Sequence, residues 1–135
     1  MSRSDYFKTR RQLLAGLSII SLVTPLWAES VRPSNKWRIE FSEGANSDGV
    51  ITFLLAPEVG QGQIVKASIP DGTSENHVAR ITRDAFRQQL PEDQYHIETD
   101  DGEDLLVKRK HGAPDFAIEL LSNSAKSVRI HLQRE

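Results

Sequence analysis

The stretch Val50-Ile51-Thr52-Phe53-Leu54-Leu55-Ala56 is an almost continuous apolar run that ends at Pro57. A run of this length, rich in β-branched and aromatic residues and closed by a proline, is typical of a buried strand. We therefore predict that this stretch forms the most buried strand of the fold.

Six further strands are predicted on the two sides of this run. Apolar and polar residues alternate in most of these segments, which is the period of a half-buried strand. Glycine, proline, asparagine and aspartate separate the segments, as they do in turns. The segments are residues 37–41, 64–69, 95–99, 105–109, 116–121 and 128–132.

One amphipathic helix is predicted over residues 74–90, from Ser74 to Leu90. Thr73 or Ser74 can cap the free backbone N–H groups at its start, and Pro91 ends it. Its apolar residues recur at helical spacing, which predicts one buried face. These residues are Val78, Ile81, Ala85, Phe86 and Leu90.

The predicted elements give the order βββαββββ and an α+β fold of about seven short, mostly antiparallel strands. The helix is expected to pack on one face of a sheet that is curled or divided into two layers. One helix cannot cover both faces of seven strands. Either the sheet folds over, or one face stays exposed to water, or that face meets a partner.

The charge and the lack of cysteine exclude several classes of function. The chain has 17 basic and 19 acidic residues, and four basic residues but one acid lie before residue 29. The remainder is therefore net negative, which argues against nucleic acid or anionic lipid as a partner. Without cysteine there are no disulfides, iron–sulfur clusters, thiolate zinc sites or cysteine nucleophiles. We predict no cofactor.

The first 28 residues have the three parts of a secretory signal peptide. Basic residues precede the uncharged apolar segment 13–28, which ends at Ala28. A spanning helix needs about 20 mostly apolar residues, and this segment is shorter and diluted by small polar residues. We predict cleavage after Ala28, a short tether over residues 29–36, and a single domain over residues 37–135. An uncleaved anchor in the inner membrane is the alternative.

Within this segment, Thr9-Arg10-Arg11-Gln12-Leu13-Leu14 resembles the twin-arginine export motif of bacteria. The motif residues are Arg10, Arg11, Leu13 and Leu14. The resemblance implies that the twin-arginine machinery is a partner, and that the folded protein contacts the membrane only transiently through its signal peptide. It also implies a periplasmic or secreted location. A general secretory signal with a chance arginine pair is the other interpretation.

Histidines and acids near the predicted hairpin are the candidates for a metal site. Carboxylates crowd together at Glu98, Asp100 and Asp101, and such oxygens suit calcium, although the EF-hand spacing is absent. His96 and His131 lie on the polar faces of their strands and would meet if those strands were neighbours. A solvated hairpin tip and two surface histidines are the simpler interpretation.

No catalytic residue is predicted. The chain has no Gly-x-Ser-x-Gly turn and no His-Glu-x-x-His helix. The basic run Lys108-Arg109-Lys110-His111 is typical of a solvated strand end. We therefore expect a binding or accessory domain for a periplasmic protein partner rather than an enzyme. The alternative is a metal-binding protein or a metal-dependent enzyme that uses the surface histidines and acids.

Overall fold

The computed structural model describes residues 31–135. The predicted export motif at Arg10, Arg11, Leu13 and Leu14 and the predicted cleavage after Ala28 lie outside these residues. No helix of the described part has the length and the apolar character that crossing a membrane requires.

Two antiparallel sheets and one helix make up the domain, and this confirms the α+β class. The four-stranded sheet has the order β4-β5-β1-β7, and the three-stranded sheet has the order β3-β2-β6. The elements are β1 (Lys36–Ser42), β2 (Gly49–Pro57), β3 (Gln63–Ile69), α1 (Glu75–Gln89), β4 (Tyr95–Asp100), β5 (Asp104–Arg109), β6 (Phe116–Asn123) and β7 (Arg129–Arg134).

Capping interactions fix both ends of α1. The Ser74 side chain accepts a hydrogen bond from the His77 backbone N–H at 3.4 Å, and Glu75 places a negative charge in the first turn. At the other end, the Leu90 N–H donates to the Phe86 carbonyl at 2.9 Å before Pro91 stops the chain. The helix therefore begins and ends where its sequence supplies the caps.

The core lies among α1 and the inner faces of the two sheets. Phe86 of the helix meets Phe53 of β2 edge to face, with ring centroids 5.2 Å apart. Tyr95 of β4 meets Phe116 of β6 in the same way. Each buried phenylalanine contributes about 1.5–3 kcal/mol by leaving water.

The helix also covers the free edges of two strands. The Gln89 side chain accepts from the Lys66 N–H at 2.9 Å and donates to the Lys66 carbonyl at 2.8 Å. Arg87 donates to the Ile97 carbonyl at 3.0 and 2.6 Å. These side chains occupy backbone groups that β3 and β4 would otherwise offer to another strand.

Part of the predicted tether lies against the domain. Ser34 and Phe116 exchange two backbone hydrogen bonds of 2.8 and 3.0 Å, and Val31 packs against the core. The Trp37 indole N–H donates to the same Phe116 carbonyl at 2.7 Å. Ordered structure therefore starts before residue 37, because these backbone groups find partners on β6.

The central strand β2 is not buried on both faces. Ile51, Phe53 and Leu55 point into the core with at most 1% exposure. The residues between them are half-buried or exposed, because α1 packs on the inner side and no element of residues 31–135 covers the outer side. The apolar run therefore supplies one core face and one surface face.

Candidate functional site

The outer face of the four-stranded sheet carries charged side chains on β1, β4 and β5 and a histidine on β7, and we call it the charged face. Its residues point away from the buried inner residues Ile39, Ile97 and Val107. The charged face consists of Lys36, Arg38, Glu40, His96, Glu98, Asp100, Asp104, Leu106, Lys108 and His131.

The two candidate histidines lie on opposite edges of this sheet. His96 is on β4 and His131 is on β7, with β5 and β1 between them. Strands are about 4.8 Å apart, so the two strands are separated by about 14 Å. The condition for a shared metal, that the two strands are neighbours, is therefore not met. Within residues 31–135, no group of three or more histidine, aspartate or glutamate side chains is arranged to hold a metal ion.

The candidate carboxylates are divided between cationic partners. Glu98 accepts from Lys108 at 3.0 Å and contacts His96 at 3.1 Å, and these hydrogen bonds hold the pKa of Glu98 below its usual range. Asp100 accepts from Arg38 at 3.2 Å. Asp101 lies in the turn between β4 and β5 with a positive φ of 48°. Glu98 and Asp100 thus pair with different cations, and the three acids do not form a common oxygen cage.

Arg38 is the centre of these pairs and was missed in the sequence. Its guanidinium donates to Asp104 at 2.6 Å, to Glu135 at 2.7 Å and to Asp100 at 3.2 Å. The hydrogen bonds to Glu135 and Asp104 raise the pKa of Arg38 further above its already high value. The alternation of β1 predicts that Arg38 faces outward. Its partners lie 62 to 97 residues away in the chain, and no local pattern identifies them.

A cleft of 340 Å³ lies between the end of α1 and β4. Arg87 and Lys110 bring positive charge to it, Glu92 brings one negative charge, and the imidazole of His96 also lines it. The Arg87 guanidinium already donates to the Ile97 carbonyl, and His96 already contacts Glu98. These groups are therefore occupied in part by the protein itself, and the cleft lacks the converging free polar groups of a small-molecule site.

The outer face of the three-stranded sheet is different in character, and we call it the apolar face. Three of its aliphatic side chains remain open to water: Ile64 is 48% exposed, Val50 is 38% exposed, and Leu54 between them is half-buried. The apolar face consists of Val50, Thr52, Leu54, Ala56, Ile64, Lys66, Ser68, Glu119 and Ser122.

A shallow depression of 420 Å³ adjoins this face beside Val50. Asp48, Gly49, Ser68 and Pro70 form its walls together with Val50. Gly49 is required there, because a Cβ at this position would lie 2.2 Å from the backbone nitrogen of Ala125. The apolar face therefore has both exposed aliphatic side chains and a hollow that can receive one.

Two opposite charges lie on the two outer strands of the apolar face. Lys66 on β3 is opposite Thr52, and Glu119 on β6 is opposite Leu54. Neither forms an ion pair with any residue of the described part of the chain. This arrangement can bind a protein surface that is apolar at its centre and that offers one charge of each sign.

Comparisons with protein-family models, with curated proteins and with solved structures give no match.

Proposed function

We propose that this protein is exported by a bacterium, to the periplasm or beyond, and that it acts there as a binding domain for a protein partner. The apolar face is the binding surface. The observation that carries the proposal is a sheet face on which Val50 and Ile64 are exposed and Leu54 is half-buried, while most large aliphatic residues of residues 31–135 are buried in the core.

The energetics favour a partner on this face. Apolar area that leaves water contributes about 25 cal/mol per Å². A contiguous apolar patch with a polar rim is typical of a protein interaction site. Here the rim is supplied by Lys66, Ser68, Glu119 and Ser122. A partner that covers the patch gains this free energy without unpairing any ion pair of the described residues.

The metal-binding alternative has no comparable support. It requires His96 and His131 to converge, and they lie on opposite edges of one sheet. Asp100, Asp104 and Glu98 already accept from Arg38 or Lys108, and Glu40 is the only other acid of the charged face beside His131. We therefore pursue the binding proposal alone.

The binding proposal can be tested by capture from a periplasmic extract with the immobilised domain. Ile64→Lys places a charge beside Leu54 on the apolar face, and we expect it to abolish capture of the specific partner. Gln88→Lys adds the same charge at an exposed position of α1 and should leave capture intact. Equal capture by both variants would exclude the apolar face as the binding surface.

The export proposal is tested separately. The double change of Arg10→Lys with Arg11→Lys removes the planar guanidinium forks but keeps the charge. We expect the protein to remain in the cytoplasmic fraction of fractionated cells. Arg3→Lys, outside the pair, is the matched control and should be exported normally. Normal export of the double variant would show that the twin-arginine machinery is not the route.

A further inference from the structure

We infer that the partner seated on the apolar face is a second copy of this chain. This inference rests on the proposed function, because it names the partner for the same surface. It is carried by the placement of the two free charges, which makes the face complementary to itself.

The registers of the three strands define a rectangle around the centre of the face. Thr52 and Leu54 of β2 form its middle line. Lys66 and Ile64 lie on the β3 side, and Ser122 and Glu119 lie on the β6 side. The opposite charges therefore occupy one diagonal, while Ile64 and Ser122 occupy the other.

The charges are too far apart to pair within one copy. They are separated by two strand spacings and by two residues along the strands, or roughly 12 Å between Cα atoms. None of the ion pairs within residues 31–135 includes either of them. Each charge is thus available to a group that arrives from outside.

A two-fold axis satisfies both charges at once. When the axis lies in the interface along the Ile64–Ser122 diagonal, it places Lys66 of each copy over Glu119 of the other. The contact is isologous, so one pairing is made twice. The same operation places Thr52 and Leu54 of the two copies against each other. A partner of another sequence has no such reason to match both ends of the diagonal.

The charged face offers no equivalent. Three of its four acids are already paired, with Asp100 and Asp104 on Arg38 and Glu98 on Lys108, and only Glu40 is in no ion pair of residues 31–135. A second copy would have to break these pairs to gain new ones. The apolar face has both the unpaired charges and the exposed aliphatic area.

The size of the face determines the strength of the contact. Three strands of seven residues span an area on the order of 300 Å² per copy. This is below the roughly 800 Å² per partner of a standard stable interface. We therefore expect a weak dimer, which is populated at high local concentration.

Sedimentation velocity of the purified mature protein, from about 10 μM to about 1 mM, measures the monomer–dimer equilibrium over the range that a weak interface requires. Lys66→Glu puts two acids at each charged contact, and Glu119→Lys puts two bases there. We expect each variant alone to raise the dissociation constant at least about tenfold. An equimolar mixture of the two should associate about as well as the unchanged protein, since each contact then joins one acid and one base.

Matched controls carry the same charge changes elsewhere. Arg80→Glu on α1 and Glu92→Lys after it are exposed and lie away from the apolar face. They should dimerise like the unchanged protein, singly and mixed. The two-fold arrangement would be overturned if Lys66→Glu or Glu119→Lys alone dimerised like the unchanged protein, or if the mixture of the two failed to associate.

The same set of proteins separates this inference from the proposed function. A protein that stays monomeric at the highest concentration overturns the second copy as partner. If that monomer still captures another protein and Ile64→Lys abolishes the capture, the binding function stands with a different partner. If Ile64→Lys changes neither dimerisation nor capture, the proposed function fails together with the inference.

Discussion

Both outer faces of the domain have a leucine on an inner strand, but the two leucines differ in exposure. On the charged face, Leu106 of β5 lies between Arg38 and Glu98 in the register and is 5% exposed. On the apolar face, Leu54 of β2 is half-buried, and Ile64 beside it is 48% exposed.

The neighbours of each leucine explain the difference. Around Leu106, long charged side chains pair across the strands, and their methylene stems can cover apolar surface while their heads stay in water. Around Leu54, the neighbouring positions hold Ile64 and Glu119, and Glu119 has no cation within reach in the described part of the chain. The exposure of an apolar residue on an outer sheet face therefore depends on whether the charged side chains around it pair with one another.

The largest expected effect comes from the core that supports both faces. Phe86 is fully buried against Phe53, and Phe86→Ala removes this contact and leaves a cavity. We expect a loss of about 3–5 kcal/mol in the free energy of unfolding, measured by urea denaturation. Val59→Ala, at a side chain that is 76% exposed, is the control and should change the free energy by about 0.5 kcal/mol or less. Equal losses for the two variants would contradict the position of the core.

The next effect concerns the charged face alone. Arg38→Met keeps much of the side-chain length but leaves Asp104 without its 2.6 Å partner, at a site where the Asp104 side chain is 12% exposed. We expect a loss of about 1–3 kcal/mol in urea denaturation at neutral pH.

Arg83→Met is the control, because it removes an ion pair with Asp84 at the surface. It should lower the free energy of unfolding by about 1 kcal/mol or less. The dimerisation constant should be the same for both variants, because neither changes the apolar face. A shift in that constant with Arg38→Met would show that the two faces are coupled.

Much of the fold could be predicted from local patterns. The alternation in Trp37 to Phe41 and the helical spacing of Val78, Ala85 and Phe86 depend on neighbouring residues, and such periods are readable in one sequence. These patterns predict an α+β domain, which the structure confirms. They also predict that one helix cannot cover both faces of seven strands, and they leave open whether the sheet folds over, keeps one face in water or meets a partner.

The sites depend on pairings between distant segments. Arg38 meets Asp104 and Glu135 only because β1 lies between β5 and β7, and strand order has no local signature. For the same reason, His96 and His131 share a polar pattern but lie on opposite edges of the sheet. The apolar face could not be predicted for a different reason. The apolar run around Leu54 favours burial on both faces of β2, and it does not predict which face the helix covers.

A pH titration tests the charged face separately, because Glu135, which pairs with Lys36 and Arg38 of that face, has a lowered pKa. The Lys36 ammonium and then the Arg38 guanidinium hold the pKa of Glu135 below its ordinary value of 4.5. A lowered pKa in the folded state contributes stability above the unfolded value, and this contribution is lost as the pH falls through the folded value.

We therefore expect the thermal midpoint to fall as the pH drops below about 4.5. Glu135→Gln should make this fall shallower, measured by circular dichroism at a series of pH values. Glu119→Gln removes an acid without an ion pair in residues 31–135 and should keep the full fall. An unchanged slope with Glu135→Gln would show that its ion pairs do not contribute.

The smallest expected effect on stability falls on the apolar face, and it is the most informative about function. Ile64→Thr keeps a β-branched side chain in β3, so the strand retains its preferred residue type. Because Ile64 is 48% exposed, we expect the free energy of unfolding in urea to change by about 0.5 kcal/mol or less.

The same substitution removes apolar area from the proposed contact in each copy, at a residue that lies on the two-fold axis. We expect the dissociation constant of the dimer to rise severalfold while the fold is unchanged. Ser42→Thr, at an exposed position at the end of β1 in the other sheet, is the control for a new threonine and should leave both quantities unchanged. If Ile64→Thr instead lowered the free energy of unfolding as much as Arg38→Met, the apolar face would contribute to the stability of the monomer. Its exposed aliphatic residues would then be explained without a partner.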